Sequence, residues 1–334
     1  AGGYGEEYGR IETDSKNNAY LFGSTNSTTN LATSGTYQQT IIGTFDAFLT
    51  KITKDGQKLW GTYYGTPLND SFEDVDFDGN FNVYAGGKTY RSGSNTDATL
   101  VKFDNNGGLV YEKNFIGNSP DELYTVAYNN GQVFLGGQTM STNFPVLNAY
   151  QPTKLSPNGY ADAYLAALDA LTGNMIWSSF FGASDHSTAI FKVFSSSGDL
   201  EIIGATQSPL IPMVNPFQPT FGGVSDGLYL KFSKTGTLLR SSYYGYSSQE
   251  FVWEARIVNN ILILAGEFPN LNGPIYGPAG IWRVDLATNV ITKATLPFHY
   301  TTQLTAYIDS ESNVFFSALS NVGQTDIATS DGYM

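Results

Sequence analysis

The sequence predicts an all-β fold, a β-propeller of four-stranded blades, from two recurring segments and from its composition. The first segment, FDAFLTKITKDGQKLWGTYYG, occupies 45–65, and later versions occupy 96–117, 161–182, 225–245 and, in altered form, 278–298. Each version has the pattern of two strands joined by a Gly-containing turn. The 334 residues include 36 Gly and 22 each of Tyr and Phe, which favours strands and tight turns over helices.

A second strand–turn–strand segment precedes each version of the first. Its copies occupy 6–25, 71–89, 122–139, 187–206, 251–268 and 304–320. Several turns carry Asp-Gly, Asn-Gly or Ser-Gly, which supply the positive φ that tight hairpins require. A Gly also recurs near the end of the second strand of this segment, at positions 23, 87, 137, 204 and 266. Gly inside a strand indicates a bulge or a close approach of neighbouring backbones, as expected where units pack tightly.

Together the two segments define repeat units of four strands. The units span about 3–65, 66–117, 118–182, 183–245, 246–298 and a partial 299–334, all in one predicted domain over 1–334. A period of roughly 40–65 residues with hairpin turns is typical of a propeller rather than a solenoid. Six copies of one hairpin and five of the other predict six blades with the last one incomplete, and seven blades is the alternative. We expect the missing hairpin either upstream, where it would close the ring by pairing the two termini, or further downstream in the chain.

Charge and composition exclude several classes of function. The chain carries 17 Lys and Arg against 30 Asp and Glu, a formal net charge of −13, and only five of the cations are Arg. An acidic surface disfavours phosphate backbones, so nucleic acid is not an expected partner. No apolar run approaches the ~20 residues that a membrane span needs. The chain has no Cys, which excludes thiolate chemistry, and it opens without a leader, so we expect a mature product or part of a longer protein.

Long connections join the two hairpins in units one, three and four, whereas units two and five shorten them. An aromatic residue followed by Gln falls at the same point in each long connection, at 37–38, 150–151 and 217–218. This repetition predicts ordered connections, and insertions at one place in a repeat map to one face of the fold. The candidates for ligand contact are Tyr37, Tyr150, Tyr160 and Phe217. Local packing of these rings is the alternative, and the preferred one.

The strongest metal candidate is the run Asp74, Asp76 and Asp78, which is followed by Gly79. Oxygen ligands at alternate positions with a Gly after the third resemble the start of an EF-hand-like calcium loop. The twelfth position of such a loop is Ala85, so the bidentate carboxylate is missing. In addition, we align Asp76 with aspartates at 14 and 309 in other copies, where the side chain would cap a turn. Turn capping is therefore the preferred interpretation and calcium the alternative.

Two other motifs are weakly similar to enzyme families. TKDGQKLW at 53–60 is near the Asp box of sialidase propellers, but its Gly stands one place early and the five Arg are scattered over different units. ALDALTGNMIW at 167–177 resembles the quinoprotein dehydrogenase repeat, although any propeller hairpin favours the same pattern. A glycosidase needs two carboxylates ~5–10 Å apart, and the sequence does not place such a pair. We therefore expect no catalytic residues and no cofactor, with calcium as the alternative.

The two histidines and the tryptophans have simple structural interpretations. His186 and His299 both fall at the start of a unit and are expected to be solvated loop residues. Trp60 and Trp177 share an equivalent position in their units. This equivalence predicts packing between blades rather than stacking on a sugar.

Four motifs resemble the SBBP-type β-propeller repeat of secreted bacterial proteins. They are D-S-x-x-N-x-Y-x-x-G-x-T at 14–25, D-A-F-L-x-K at 46–51, W-x-T-Y-Y-G at 60–65 and N-F-P…A-Y-Q at 143–151. The stretch at 24–38 is particularly similar to surface proteins that Bacteroidota export by the type IX secretion system. The resemblance covers nearly the whole chain, although units two and five lack the Pro-Tyr-Gln connection. It implies an exported propeller, often part of a longer chain, without agreed catalytic residues to transfer.

These observations predict a noncatalytic extracellular β-propeller, a binding, adhesion or structural module of a secreted or cell-surface bacterial protein. Its expected partners are a protein or glycan at the cell surface, or other domains of a longer chain. The alternative is a propeller enzyme that acts on polysaccharide. A deep pocket with two facing acids would favour the enzyme, whereas a channel filled by side chains would not.

Overall fold

The computed structural model describes residues 6–92, 95–196, 198–246, 251–267, 279–295, 301–309 and 311–320. All regular elements in these ranges are strands, and they form six sheets. Five sheets have four strands each and the sixth has two. Within every sheet the strands follow one another in chain order, so each sheet is an up-and-down meander.

The strands are numbered β1 to β22 along the chain. Sheets one to three contain β1 (Glu6–Thr13), β2 (Ala19–Thr25), β3 (Asp46–Ile52), β4 (Lys58–Tyr64), β5 (Asp70–Phe77), β6 (Val83–Ser92), β7 (Asn95–Phe103), β8 (Leu109–Phe115), β9 (Asp121–Asn129), β10 (Gln132–Thr139), β11 (Asp162–Asp169) and β12 (Met175–Phe181). Sheets four to six contain β13 (Thr188–Ser196), β14 (Asp199–Thr206), β15 (Asp226–Phe232), β16 (Leu238–Tyr244), β17 (Phe251–Val258), β18 (Ile261–Glu267), β19 (Ala279–Asp285), β20 (Ile291–Thr295), β21 (Thr301–Ile308) and β22 (Val314–Ser320).

The prediction of an all-β propeller with four-stranded blades is confirmed. Six successive meander sheets, the last with two strands in the described residues, match the predicted six blades with an incomplete sixth. Each sheet lies within one of the repeat units read from the sequence. The assignment of all 334 residues to a single domain remains a prediction.

The second hairpins of sheets one, two and four share one recurring turn. Gly56, Gly107 and Gly236 occupy the same place in three such turns, with φ of +82°, +82° and +87°. The N–H of each Gly donates to the carbonyl oxygen three residues earlier, at 2.9–3.0 Å. The strand register shifts by one residue beside the turn in sheets one, two and three. Gly is needed here because other residues rarely adopt this positive φ.

The chain divides into two compact units, residues 1–202 with 232–237, and residues 203–231 with 238–334. In the first unit, successive sheets pack face to face through their first strands, with β5 against sheet one and β9 against sheet two. One buried cluster joins Leu49 and Trp60 of sheet one to Phe72 of sheet two. Another joins Leu100 of sheet two to Leu135 of sheet three. Third strands such as β3 are buried on both faces, as expected for a sheet covered on both sides.

The second unit has a core of its own. Leu262 and Leu264 of β18 and Trp282 of β19 are fully buried. The strand β21 packs against β17, and Nη1 of Arg256 donates a hydrogen bond of 2.6 Å to the carbonyl oxygen of Ile308. A side chain on the first strand of one sheet thus bonds the backbone of the first strand of the next.

In sheet two, the recurring Gly near the end of the second strand, Gly87, and the Gly that precedes it have different roles. A Cβ on Gly87 would lie 1.9 Å from the carbonyl oxygen of Ser71 in its own sheet, where the register shifts. A Cβ on the preceding Gly86 would lie 2.3 Å from Leu123 Cδ2 in the next sheet. Gly87 therefore accommodates a bulge, and it is Gly86 that permits the close approach of the neighbouring sheet.

Candidate functional site

Each long connection is held by a buried Asp at the start of the third strand. In sheet one, Asp46 is fully buried, and its Oδ2 accepts hydrogen bonds from Gln38 Nε2 at 2.7 Å and from the N–H of Ile42 at 2.9 Å. Its Oδ1 accepts from the N–H of Gly43 at 2.8 Å. The Gln38 Oε1 accepts from the N–H of Gly65 at 3.0 Å, so one amide side chain links the connection to the end of β4.

The same arrangement recurs in sheets three and four. Gln151 Nε2 donates to Asp162 Oδ2 at 3.0 Å, and its Oε1 accepts from the N–H of Gly182 at 3.0 Å. Gln218 Nε2 lies 3.4 Å from Asp226 Oδ2, and Gln218 Oε1 accepts from the N–H of Gly245 at 3.2 Å. Burial raises the pKa of Asp226 to about 6. We call this Asp–Gln pair with its backbone partners the connection bracket, and it explains why the Gln recurs in the sequence.

Sheet two lacks the long connection and satisfies its Asp with a different residue. Asp97 is 4% exposed, and its Oδ1 lies 2.7 Å from Arg91 Nη2. The same Nη2 donates to the carbonyl oxygen of Gly117 at 2.9 Å. Burial raises the pKa of Asp97, and the Arg91 guanidinium opposes that rise. In sheet two, the guanidinium of Arg91 at the end of β6 thus takes the place of the Gln side chain beside the buried Asp.

The bracket fixes the position of the aromatic residue that precedes each Gln. Tyr37 is 44% exposed, and its ring stacks on Tyr64 at 6.2 Å between centroids. Tyr64 in turn donates its hydroxyl to Glu112 Oε2 at 3.2 Å. Tyr150 is 42% exposed, and its ring stacks on Phe181 at 6.3 Å. Each tyrosine therefore has one face on a buried aromatic base and keeps part of its surface open to solvent, and we call these two rings the tyrosine platforms.

The other two aromatic candidates differ from the platforms. Phe217 is partly buried, with its ring 5.7 Å from Tyr229 and 5.5 Å from the Arg240 guanidinium. Tyr160 is 38% exposed and meets the His186 ring edge-on at 5.5 Å. His186 lies in a loop with its side chain 47% exposed, 3.3 Å from the Asp185 carboxylate, whereas His299 lies outside the described residues. The four aromatic candidates therefore have different surroundings, and among them the two platforms share a geometry.

Asp74 and Asp76 line a pocket of about 290 Å³ formed by the first strands of sheets one to four. Asp74 Oδ2 accepts from the N–H of Val126 at 2.9 Å, and Asp76 Oδ2 accepts from the N–H of Tyr128 at 2.6 Å. Burial raises the pKa of both carboxyls, that of Asp76 to about 6. The two acids stand side by side on β5 and join it to β9 of the next sheet. We call this cavity the first-strand pocket.

Asp78 lies apart from this pair and caps a turn. Its Oδ1 accepts from the N–H groups of Asn80 and Asn82 at 2.9 and 3.0 Å, and its Oδ2 accepts from Asn82 Nδ2 at 2.8 Å. Asp14 and Asp309 make the same contacts with the Asn four residues later. The alignment of Asp76 with these aspartates was therefore wrong by two positions, because the turn motif begins at Asp78. Among the described residues, no group of three or more Asp, Glu or His side chains is placed to hold a metal ion, and calcium binding stays an untested prediction.

The equivalent tryptophans pack between sheets, as the sequence predicts. Trp60 is 5% exposed, and its Nε1 donates to the carbonyl oxygen of Asn105 in the β7–β8 turn at 2.9 Å. Trp177 is 1% exposed, and its Nε1 donates to the carbonyl oxygen of Lys234 in the β15–β16 turn at 2.9 Å. The side chain of Trp253 is outside the described part of the structure.

Comparisons with known proteins add little to this site. No family model and no curated protein matches the chain. Among solved structures it is similar to the Neurospora crassa Pan2 WD40 domain, with 10% identity over 88% of this chain and 67% of that one and a TM-score of 0.49. It is also similar to the β-propeller domain of the Pyrococcus furiosus Trilobed protease, with 6% identity over 95% and 80% of the two chains and a TM-score of 0.48. A neuraminidase-like protein of a bat influenza A virus has 8% identity over 93% and 95% of the two chains and a TM-score of 0.48. These similarities are too low to transfer an activity, ligand or partner.

No helix with the length and apolar character of a membrane span occurs in the part of the chain that the structure describes.

Proposed function

We propose that this propeller is a noncatalytic binding module of a secreted or cell-surface bacterial protein, and that the tyrosine platforms contact its partner. The observation that carries the proposal is the repeated geometry of Tyr37 and Tyr150. Both rings stand half-exposed on an aromatic base, on connections fixed by a buried Asp–Gln pair. A rigid, partly exposed Tyr loses little conformational entropy on binding and offers both an apolar ring and a hydroxyl. The resemblance to exported propeller repeats supports the extracellular location.

The test compares wild-type protein with the double variant Tyr37→Ala/Tyr150→Ala. Both proteins are applied to a glycan array and to a panel of immobilised extracellular matrix proteins. We expect wild type to bind at least one member and the double variant to bind it about tenfold more weakly or less. A matched control is Leu171→Ala, which removes a 79% exposed apolar side chain from a hairpin turn without touching either platform.

One result would support this proposal, and two others would contradict all or part of it. Selective loss of binding in the double variant, with Leu171→Ala unchanged, supports it. Equal binding by wild type and the double variant removes the platforms from the proposal. A wild-type protein that binds no glycan or protein contradicts the assignment of a binding module.

A second candidate is an enzyme that cleaves polysaccharide in the first-strand pocket. The observation that favours it is the pair Asp74 and Asp76, where burial raises the pKa of Asp76 to about 6, a range suited to a general acid. Against it, one oxygen of each carboxylate is committed to an N–H group of β9. Incubation with a polysaccharide panel, followed by assays for new reducing ends and unsaturated uronates, tests this candidate. Release of product by wild type but not by Asp76→Asn would favour the enzyme over the binding module.

A further inference from the structure

A second cavity of about 290 Å³ lies between sheets one and two, away from the first-strand pocket. Its lining includes Ser24 of β2, Asp70 and Glu73 of β5, Lys88 of β6, and two aromatic residues, Phe45 and Tyr90. We call it the Ser24 pocket. Its volume lies near the lower limit of the roughly 300–1,000 Å³ typical of small-molecule sites, which suits a single ring rather than an extended ligand.

The repeat explains why this cavity is open at the first junction between sheets. Ser24 stands at the strand position that Lys88 occupies in sheet two and Gln138 in sheet three. At the junction of sheets two and three, Lys88 Nζ lies 2.9 Å from Glu122 Oε1, and Gln138 Nε2 lies 3.0 Å from Glu122 Oε2. Tyr124 also donates its hydroxyl to Glu122. These long side chains fill the space that the short Ser24 leaves open.

The two carboxylates of the Ser24 pocket are held in place by hydrogen bonds, and their oxygens can still accept further ones. Asp70 is 2% exposed, and its Oδ2 accepts from the N–H of Thr66 at 2.6 Å. Among the described residues, its Oδ1 has one contact, a long one of 3.4 Å to the Thr66 hydroxyl. Glu73 Oε1 accepts from Ser71 Oγ at 3.0 Å, and Glu73 Oε2 lies 3.2 Å from Arg10 Nη2. Each carboxylate oxygen can accept further hydrogen bonds from a ligand hydroxyl.

We infer that the Ser24 pocket binds one neutral pyranose residue of a glycan. The rings of Phe45 and Tyr90 offer surfaces for the apolar face of the sugar, and Asp70 offers an acceptor for its hydroxyls. The lining carries two carboxylates against one ammonium, and that ammonium, Lys88, is already paired with Glu122. The negative balance, on a chain of net charge −13, disfavours uronic and sialic acids. This inference rests on the proposed binding function and names its ligand class at a site separate from the tyrosine platforms.

The test is saturation-transfer NMR on the intact chain with methyl glycosides. The probes are the methyl glycosides of glucose, galactose, mannose and N-acetylglucosamine, with those of glucuronic acid and sialic acid as charged comparisons. We expect transfer to at least one neutral glycoside and none to the acidic ones. Ser24→Gln, which introduces the residue that sheet three carries at this position, is expected to weaken binding about tenfold or more.

The matched control is Ala205→Gln, the same new side chain at the equivalent position of sheet four. It is expected to bind as wild type does. Asn69→Ala offers a second variant with little risk to folding, because this residue is exposed at the pocket and its backbone bonds remain. It is expected to weaken binding of the same neutral glycoside.

The outcomes separate this inference from the proposed function. Absence of transfer to every neutral glycoside, stronger transfer to an acidic one, or unchanged binding by Ser24→Gln would each overturn the inference. If the chain still binds array members through Tyr37 and Tyr150, the proposed function stands without the Ser24 pocket. If wild type binds neither the arrays nor the glycosides, both fail.

Discussion

Arg91 Nη2 lies 2.7 Å from Asp97 Oδ1 and thereby takes the place that Gln38 Nε2 holds beside Asp46 in the preceding sheet. Each of these aspartates is buried at the start of a third strand. A buried carboxylate without a donor costs free energy, so every sheet with this Asp needs a partner for it. The long connections supply an amide, and the short connection supplies a guanidinium. The chemistry of the partner changes while the buried acid is retained.

Arg91→Ala is expected to lower the free energy of unfolding by about 1–3 kcal/mol at pH 7, because Asp97 loses its cation while remaining buried. The loss should raise the pKa of Asp97 in the folded state. The deficit of the variant should therefore shrink as the pH falls through that raised pKa and the carboxyl becomes neutral. Urea unfolding at pH 7 and pH 5 measures both effects.

Two controls accompany Arg91→Ala. Arg283→Ala changes an exposed position on β19 and is expected to shift stability by no more than about 0.5 kcal/mol. Arg91→Ala/Asp97→Asn removes the buried charge as well and should recover part of the loss. If Arg91→Ala alone is as stable as wild type, the ion pair between Arg91 and Asp97 does not stabilise sheet two.

Gly107→Ala is expected to destabilise the protein more than Gly56→Ala. Both residues have φ of +82° in equivalent turns, so the backbone strain of the substitution is the same. A Cβ at 107 would lie 2.9 Å from the Trp60 ring, whereas a Cβ at 56 would meet nothing within 4 Å. The difference should be about 1–3 kcal/mol, the usual cost of overpacking. Equal destabilisation, measured by urea unfolding, would contradict the packing of Trp60 against this turn.

Asp78→Ala is expected to cost about 1–2 kcal/mol, because the carboxylate caps the turn through three hydrogen bonds to Asn80 and Asn82. Asp55→Ala, at an exposed turn position, serves as the matched control. Since capping is the preferred interpretation, wild type should unfold at the same temperature in calcium and in chelator. A calcium-dependent rise in wild type that Asp78→Ala abolishes would instead support the calcium site.

Stability is expected to rise as the pH falls from 7 to 5. Burial raises the pKa of Asp70, Asp121 and Asp226 to about 6 in the folded protein, above the value of about 3.9 in an unfolded chain. Between these values the folded state binds more protons than the unfolded state, so protonation favours folding. Urea midpoints across this range measure the effect, and Asp121→Asn should flatten it. A midpoint that falls steadily below pH 7 would contradict the raised pKa values.

The sequence was sufficient for the architecture because its signals are local. Hairpin turns, strand lengths and the recurrence of the four-stranded unit all lie within short windows. The tryptophan positions were also interpreted correctly, since two equivalent copies placed Trp60 and Trp177 at the same point of the repeat. The recurrence of the Gln in each long connection was also visible in the sequence.

The sequence did not reveal contacts that depend on which residues meet across sheets. Arg91 has no counterpart in the repeat motif, so its substitution for Gln became visible only beside Asp97. Asp74 and Asp76 resembled a calcium loop, but their partners lie 52 residues away on β9. The Ser24 pocket exists because a short side chain stands where long ones stand in the next two sheets. Such a difference becomes informative only after the strands are superposed.

Amide hydrogen exchange at Gly182 tests most directly the central claim that buried Asp–Gln pairs hold the connections and so position the tyrosines. In wild type this N–H donates to Gln151 Oε1 at 3.0 Å, and the N–H of Leu155 donates to Asp162 Oδ2 at 2.8 Å. Both amides should be protected in wild type, and Gln151→Ala should accelerate exchange at Gly182 at least about tenfold while strand β11 stays protected. A Gly182 amide that exchanges freely in wild type, or equally slowly in Gln151→Ala, would contradict the claim.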